Sequence, residues 1–184
     1  MKLDFLISHC SMEKVAEYIN SNNESEFDKA TRYILIPIDQ SDNSQRAFDW
    51  FVKNVHKPLD GLYLINIIDP AALSSKALRR ISETPRLSTE LASPLKDPLF
   101  ESGIKLSKDY LVRCTENKIA AKVIVHVGQK AGEEICKLAR ELNIETVVIG
   151  TRGLSTIKRK LFGSVSDYLL HHAKIPLIIV PPLN

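Results

Sequence analysis

"ETVVIGTRGLSTIKRKLFGSVSDYLLHHAKIPLIIVPP", residues 145–182, decides the architecture. Its first part, ETVVIG, is a short apolar run with β-branched residues and reads as a buried strand. Residues 164–173 have the pattern of a helix. IPLIIVPP then reads as another buried strand, closed by prolines that cannot continue a ladder. A strand, a crossover helix and a second strand form a unit of parallel sheet. The loop between strand and helix is unusual. The chain has only seven glycines, and Gly150, Gly153 and Gly163 fall within 14 positions. Lys158-Arg159-Lys160 lies between the last two, and Ser164 and Ser166 follow directly. Glycine lets another group approach the backbone closely. Exposed backbone N–H groups cradle anions, and a helix N-terminus offers unpaired donors at the positive end of a dipole. The spacing therefore points to phosphate. Two plainer readings compete with it: glycines after strands also serve the turn alone, and Lys-Arg-Lys runs are commonly solvated surface.

Working outward, the same alternation recurs. YILIPID (residues 33–39) is a first strand, followed by a helix with Ala47, Trp50, Phe51 and Val55 at helical spacing. GLYLINIID (residues 61–69) is a second strand. IKLSKDYLVRCTENK supplies a helix, AKVIVHVG a third strand and AGEEICKLARELN a further helix, which leads into the fourth strand, ETVVIG. Near-continuous apolar strands separated by helices predict an α/β fold, an open doubly wound parallel sheet covered on both faces. Residues 1–30 read as an N-terminal extension outside the core, partly flexible, with a short helix over residues 11–19. The segment 71–102 carries Pro85, Pro94 and Pro98 and is longer than a usual connection, so it reads as an insert that is functional or mobile.

The totals narrow the function classes. The chain is 44% hydrophobic and 26% charged, a globular balance, and its net charge of +3 is too small to imply nucleic acid. No apolar run reaches membrane-spanning length, so no membrane partner is expected. Cys10, Cys114 and Cys136 form neither a CxxC pair nor a disulfide framework, and free thiols suggest a cytoplasmic protein.

In an open parallel sheet, ligands bind beyond the carboxyl ends of the strands where the strand order reverses. Asp39 ends the first strand and Gly150 the fourth, so neighbouring strands would set both on one crevice. No Walker-type GxxxxGK[ST] is present, and no GxGxxG follows the first strand. The glycines follow the fourth strand instead.

That placement, Gly150-x2-Gly153-x9-Gly163-Ser164, resembles the ATP-binding signature of the universal stress protein family. ILIPIDQSDNSQRAFDW resembles the family's first strand, aspartate and helix. LYLINIID resembles the second strand, with Asn66 where the family usually has histidine. VIVHVGQKAGEEICKLARELNIETVVIGTRG and GSVSDYLLHHAKIPLIIVPP resemble the remainder, so the likeness runs over residues 31–182. It implies a Rossmann-like, five-stranded parallel sheet in order 3-2-1-4-5, with ATP (or AMP or ADP) bound together with Mg2+ near Asp39. By position it implies Pro37, Ile38 and Asp39 against adenine and ribose, and Ile67 against the base. Ile149, Gly150, Arg152 and Gly153 would line the ribose and phosphate side, and Gly163, Ser164, Val165 and Ser166 would hold the phosphates. It also implies a homodimer through the last strand, Pro176, Leu177, Ile178, Ile179 and Val180, which agrees with the need of an apolar edge strand for a cover.

Asp39 has an alternative use as a turn or helix cap. His171 and His172 are adjacent and point about 100° apart on a helix, so they do not converge on a metal, and no group has zinc spacing. His126 reads as structural or near the rim of the site. Arg79-Arg80-Ile81-Ser82 matches a basophilic kinase site. No base for water and no arginine finger is assigned, so the expected role is nucleotide-dependent regulation in a stress response rather than catalysis, with a slow ATPase as an alternative. A nucleotidyl transferase or ATP pyrophosphatase would carry an HIGH-like or SGGxDS-like motif, and IDQSDNSQ has neither. A dimerisation module that binds nothing is the remaining alternative.

Overall fold

The computed structural model describes residues 17–83, 97–151 and 163–182. Five parallel strands, β2 (Arg32–Pro37), β3 (Asp60–Ile68), β4 (Ala120–Val127), β5 (Thr146–Gly150) and β6 (Leu177–Val180), lie in the spatial order β4-β3-β2-β5-β6. Numbered among themselves they give the expected 3-2-1-4-5. The order reverses between β2 and β5, which leaves a crevice above their carboxyl ends. Side chains alternate across the sheet, so each buried strand feeds two cores. Ile34, Ile36, Leu62 and Leu64 meet Ala47, Phe48 and Phe51 of α2 (Asp42–Asn54) and Tyr110, Leu111 and Cys114 of α4 (Pro98–Glu116). Leu35, Tyr63 and Ile65 meet Ile135 and Leu138 of α5 (Ala131–Glu141) and Leu169 of α6 (Ser164–His172).

The N-terminal residues depart from the sequence expectation. Instead of a helix running to residue 19, Glu17–Ser21 form a strand, β1, which pairs antiparallel with β4 and makes a sixth strand at the sheet edge. The helical turn α1 (Glu24–Phe27) follows, and Phe27 is 1% exposed among Tyr33 and Tyr63, with ring centroids 5.4 and 5.0 Å away. Residues 17–28 are therefore built into the fold rather than appended to it. Asn22 continues the ladder with its side chain: Nδ2 donates to the Ile119 carbonyl (2.8 Å), and Oδ1 accepts from the Ala121 N–H (2.8 Å). Lys122, in the middle of β4, is 3% exposed. Its ammonium lies 3.3 Å from Asp28, 3.7 Å from Glu24 and 4.6 Å from the Phe27 ring centroid. A buried lysine is tolerated only with such partners, so Lys122 and α1 stabilise one another.

The insert is likewise anchored at its base. A 3-10 turn (Pro70–Ala72) and α3 (Ser75–Glu83) precede residues 84–96, which lie outside the described set. Asp97 is 2% exposed and accepts from the Ser74 N–H and the Leu99 N–H, both at 3.0 Å. These donors, Ser74 first, hold its carboxyl below the usual carboxylate range. Leu73, Ala77 and Phe100 pack beneath the bridge. Ser82 of the kinase-like motif falls within the backbone of α3.

Truncating Phe27 tests whether α1 belongs to the core. Phe27→Ala should cost about 3–5 kcal/mol in urea unfolding. A cost near that of a neutral surface change, about 0.5 kcal/mol, would place α1 outside the cooperative unit.

Candidate functional site

The crevice above β2 and β5 is a cleft of about 170 Å³. Pro37, Ile38, Asp39, Ile67, Ile149, Gly150, Gly163, Ser164, Val165 and Ser166, ten residues singled out from the sequence, all line it. Arg152 and Gly153, like the Lys158–Lys160 run, lie outside the described residues. Ser41, Asn43, Ser44, Ile65, Ala131 and Ile135 also line the cleft, and sequence reading did not select them. A larger hollow of about 490 Å³ lies beside the starts of β5 and β6. It runs along α5 and α6, shares Ile135 with the cleft, and lacks the glycine cradle.

The exit of β2 is held in one shape by a chain of hydrogen bonds. Ile38 N–H donates to the Ile65 carbonyl (2.8 Å), and the buried Asn66 Nδ2 donates to the Ile38 carbonyl (2.9 Å). Asp39 N–H donates to Ser44 Oγ (3.1 Å), which lies 3.1 Å from the Tyr110 hydroxyl. Burial pushes the Tyr110 phenol pKa up, which keeps that hydroxyl protonated. Asp39 Oδ1 accepts from both the N–H and the hydroxyl of Ser41, the N-cap of α2. The aspartate thus does perform the turn-stabilising role weighed as its alternative. Its side chain is exposed at the cleft, and Oδ2 has no hydrogen bond among the described residues.

The two described glycines of the loop serve different physical ends. Neither has positive φ. A Cβ on Gly150 would lie 2.1 Å from the Asn43 carbonyl oxygen, an impossible contact with backbone. Gly150 is therefore required by the packing of α2 on β5. Among the described residues, a Cβ on Gly163 would meet only Ser166 Oγ, at 3.9 Å. Gly163 is the N-cap of α6, with φ −67° and ψ 160°, and among the described residues no side chain caps that helix. The N–H groups of the first turn are orphan donors beside the cleft. Ser166 is buried, and its hydroxyl donates to the Gly163 carbonyl (3.0 Å), whereas Ser164 is exposed. Apolar Ile38, Ile65, Ile67, Ile149 and Val165 supply the remaining wall. The arrangement suits a ligand with a flat apolar part and an anionic end.

The other candidates fall away from the cleft. His171 and His172 are exposed, and each ring Nδ1 donates to a carbonyl one turn back. His126 is 1% exposed with Nε2 3.2 Å from Glu134, and burial lowers its pKa. No metal-holding group occurs among the described residues. Cys136 is partly buried, and burial raises its pKa, so it is a poor nucleophile. No helix among the described residues is long and apolar enough to cross a membrane. β6 sits at the sheet edge, bonded to β5 on one side, with Leu177, Ile178 and Ile179 only half-buried.

A family model for the universal stress protein family matches residues 31–181. The chain belongs to that family. Universal stress protein YxiE of Bacillus subtilis is 26% identical over 147 residues, a match that covers 80% of this chain and 97% of that one. Among solved structures, an Arabidopsis thaliana family member with AMP bound is similar (TM-score 0.55, 17% identity, 83% of this chain and 92% of the other). So is a universal stress protein in complex with cAMP (TM-score 0.55, 19% identity, 81% and 96%). These likenesses agree with the Rossmann-like sheet described above.

The two glycines should separate under mutation. Gly150→Ala should destabilise by about 1–3 kcal/mol, as overpacking does, whereas Gly163→Ala should change thermal stability little. Equal melting temperatures for Gly150→Ala and the wild type would contradict the close approach of α2.

Proposed function

We propose that the protein binds an adenine nucleotide, ATP before AMP or ADP, in the cleft above β2 and β5. The observation that carries the reading is the open cradle at Gly163, where an uncapped helix N-terminus faces a cleft with an apolar wall. Pro37, Ile38 and Ile67 take the base, and Asp39 takes the ribose or a magnesium ion that accompanies the phosphates. Ile149, Gly150, Arg152 and Gly153 border the ribose and phosphates. The N–H groups and hydroxyls of Gly163, Ser164, Val165 and Ser166 bind phosphate oxygens. Ser166 would redirect its hydroxyl from the Gly163 carbonyl to do so. The AMP and cAMP held by the two family structures support this chemistry.

The role we assign is regulatory and non-enzymatic, in the cytoplasm: occupancy of the cleft biases a homodimer or partner surface. The half-buried edge of β6 supports the dimer, since among the described residues its outer edge pairs with no strand and a second copy would supply one.

Gly163→Asp tests the site with a built-in control. Aspartate is a favoured N-cap, so helix stability should hold or rise, while its charge opposes phosphate. Calorimetric titration with ATP and Mg2+ should show saturable one-to-one binding to the wild type and a loss of roughly 100-fold or more for the variant, from one removed and one repelled phosphate contact. Equal affinities would move the phosphates away from Gly163. No heat with the wild type at millimolar ATP would refute nucleotide binding.

A further inference from the structure

Arg46 lies on α2, one turn after Asn43, outside the cleft lining. Its guanidinium joins three parts of the chain. Nη2 donates to Asn43 Oδ1 (2.9 Å) and to the Thr151 carbonyl (2.8 Å), and Nε donates to the Pro181 carbonyl (2.8 Å). Thr151 is the residue at which the chain leaves β5, and Pro181 the residue at which it leaves β6. The same exits are joined by the Thr151 N–H, which donates to the Val180 carbonyl (3.0 Å). The Asn43 carbonyl also packs on Gly150, so both turns of this helix face bear on the end of β5.

We infer that Arg46 is a positioning residue for the phosphate side of the cleft, fixing Thr151 where the chain leaves β5 beside Gly150. This rests on the nucleotide reading above. Arg46 acts through geometry. A planar fork can serve acceptors on three elements at once, whereas a lysine ammonium is a single point on a flexible stem. Removing the fork leaves the Thr151 and Pro181 carbonyls without this donor, and the bond from the Thr151 N–H to the Val180 carbonyl then holds the two strand exits without the clasp. Because the edge strand β6 and the start of the glycine loop share the clasp, a disturbance of one strand end is transmitted to the other.

The test compares Arg46→Ala and Arg46→Lys with the wild type by two readouts. The first is amide hydrogen exchange at Thr151 without ligand, under conditions where melting curves show each protein folded. The second is calorimetric affinity for Mg-ATP and for adenosine. Both variants should exchange Thr151 faster. Both should bind ATP roughly tenfold more weakly, the scale of one charge-assisted hydrogen bond lost, while adenosine binds as it does to the wild type. Rescue of ATP affinity by lysine would make Arg46 a charge rather than a clasp and overturn the inference. So would unchanged Thr151 exchange in Arg46→Ala, or equal losses for adenosine and ATP. If the wild type binds no adenine nucleotide, the functional reading fails on its own, and Thr151 exchange alone then decides whether Arg46 holds the exit of β5.

Discussion

The contact on which the cleft depends is between the backbone of α2 and the backbone of β5. The Asn43 carbonyl occupies the space that any side chain on Gly150 would need, with 2.1 Å between them. Because Gly150 has no Cβ, the first turn of α2 can sit down on the end of β5. That places Ser41, Ser44 and Asp39 at the switch point of the sheet. The helix cap, the Asp39 turn and the Ser44–Tyr110 pair then fix the loop leaving β2. The opposite wall is the uncapped start of α6. One side of the cleft is thus held in shape by internal hydrogen bonds, with Asp39 Oδ2 left open, and the other keeps orphan donors, an asymmetry suited to an anion that enters from outside.

Much of this was legible in the sequence. The open parallel sheet followed from alternating apolar runs and helical spacing, because a sheet buried on both faces leaves little freedom of pattern, and the order 3-2-1-4-5 followed from the family resemblance. The glycine cluster located the cleft. Its individual glycines, however, were grouped under one anion-binding role, and only coordinates separate a glycine required by packing (Gly150) from one that leaves open space (Gly163). Ser41, Asn43 and Ser44 were missed because their helix reads locally as an ordinary polar first turn. The signal was there in SDNS, a run of capping residues directly after the candidate aspartate.

The N-terminal segment shows where local pattern fails. Residues 11–19 carry a capping-box shape, yet residues 17–21 are a strand. What decides is the free edge of β4, whose backbone donors and acceptors need partners. No local window contains that requirement. One trace of it was visible: Lys122 interrupts an apolar strand in AKVIVHV, and a lysine there demands nearby anions and an aromatic face. Glu24, Phe27 and Asp28 provide them from a segment about a hundred residues earlier.

On the proposed reading, an adenine nucleotide occupies the cleft between the exit of β2 and the start of α6. A two-dimensional NMR titration of the isotope-labelled, nucleotide-stripped protein with Mg-ATP tests it most directly. Saturable shifts are expected, concentrated at the amides of Ile38, Asp39, Ile67, Gly150 and Gly163 through Ser166. Shifts clustered instead around Arg140, Tyr168 and Lys174 in the larger hollow, or no shifts at millimolar nucleotide, would contradict it.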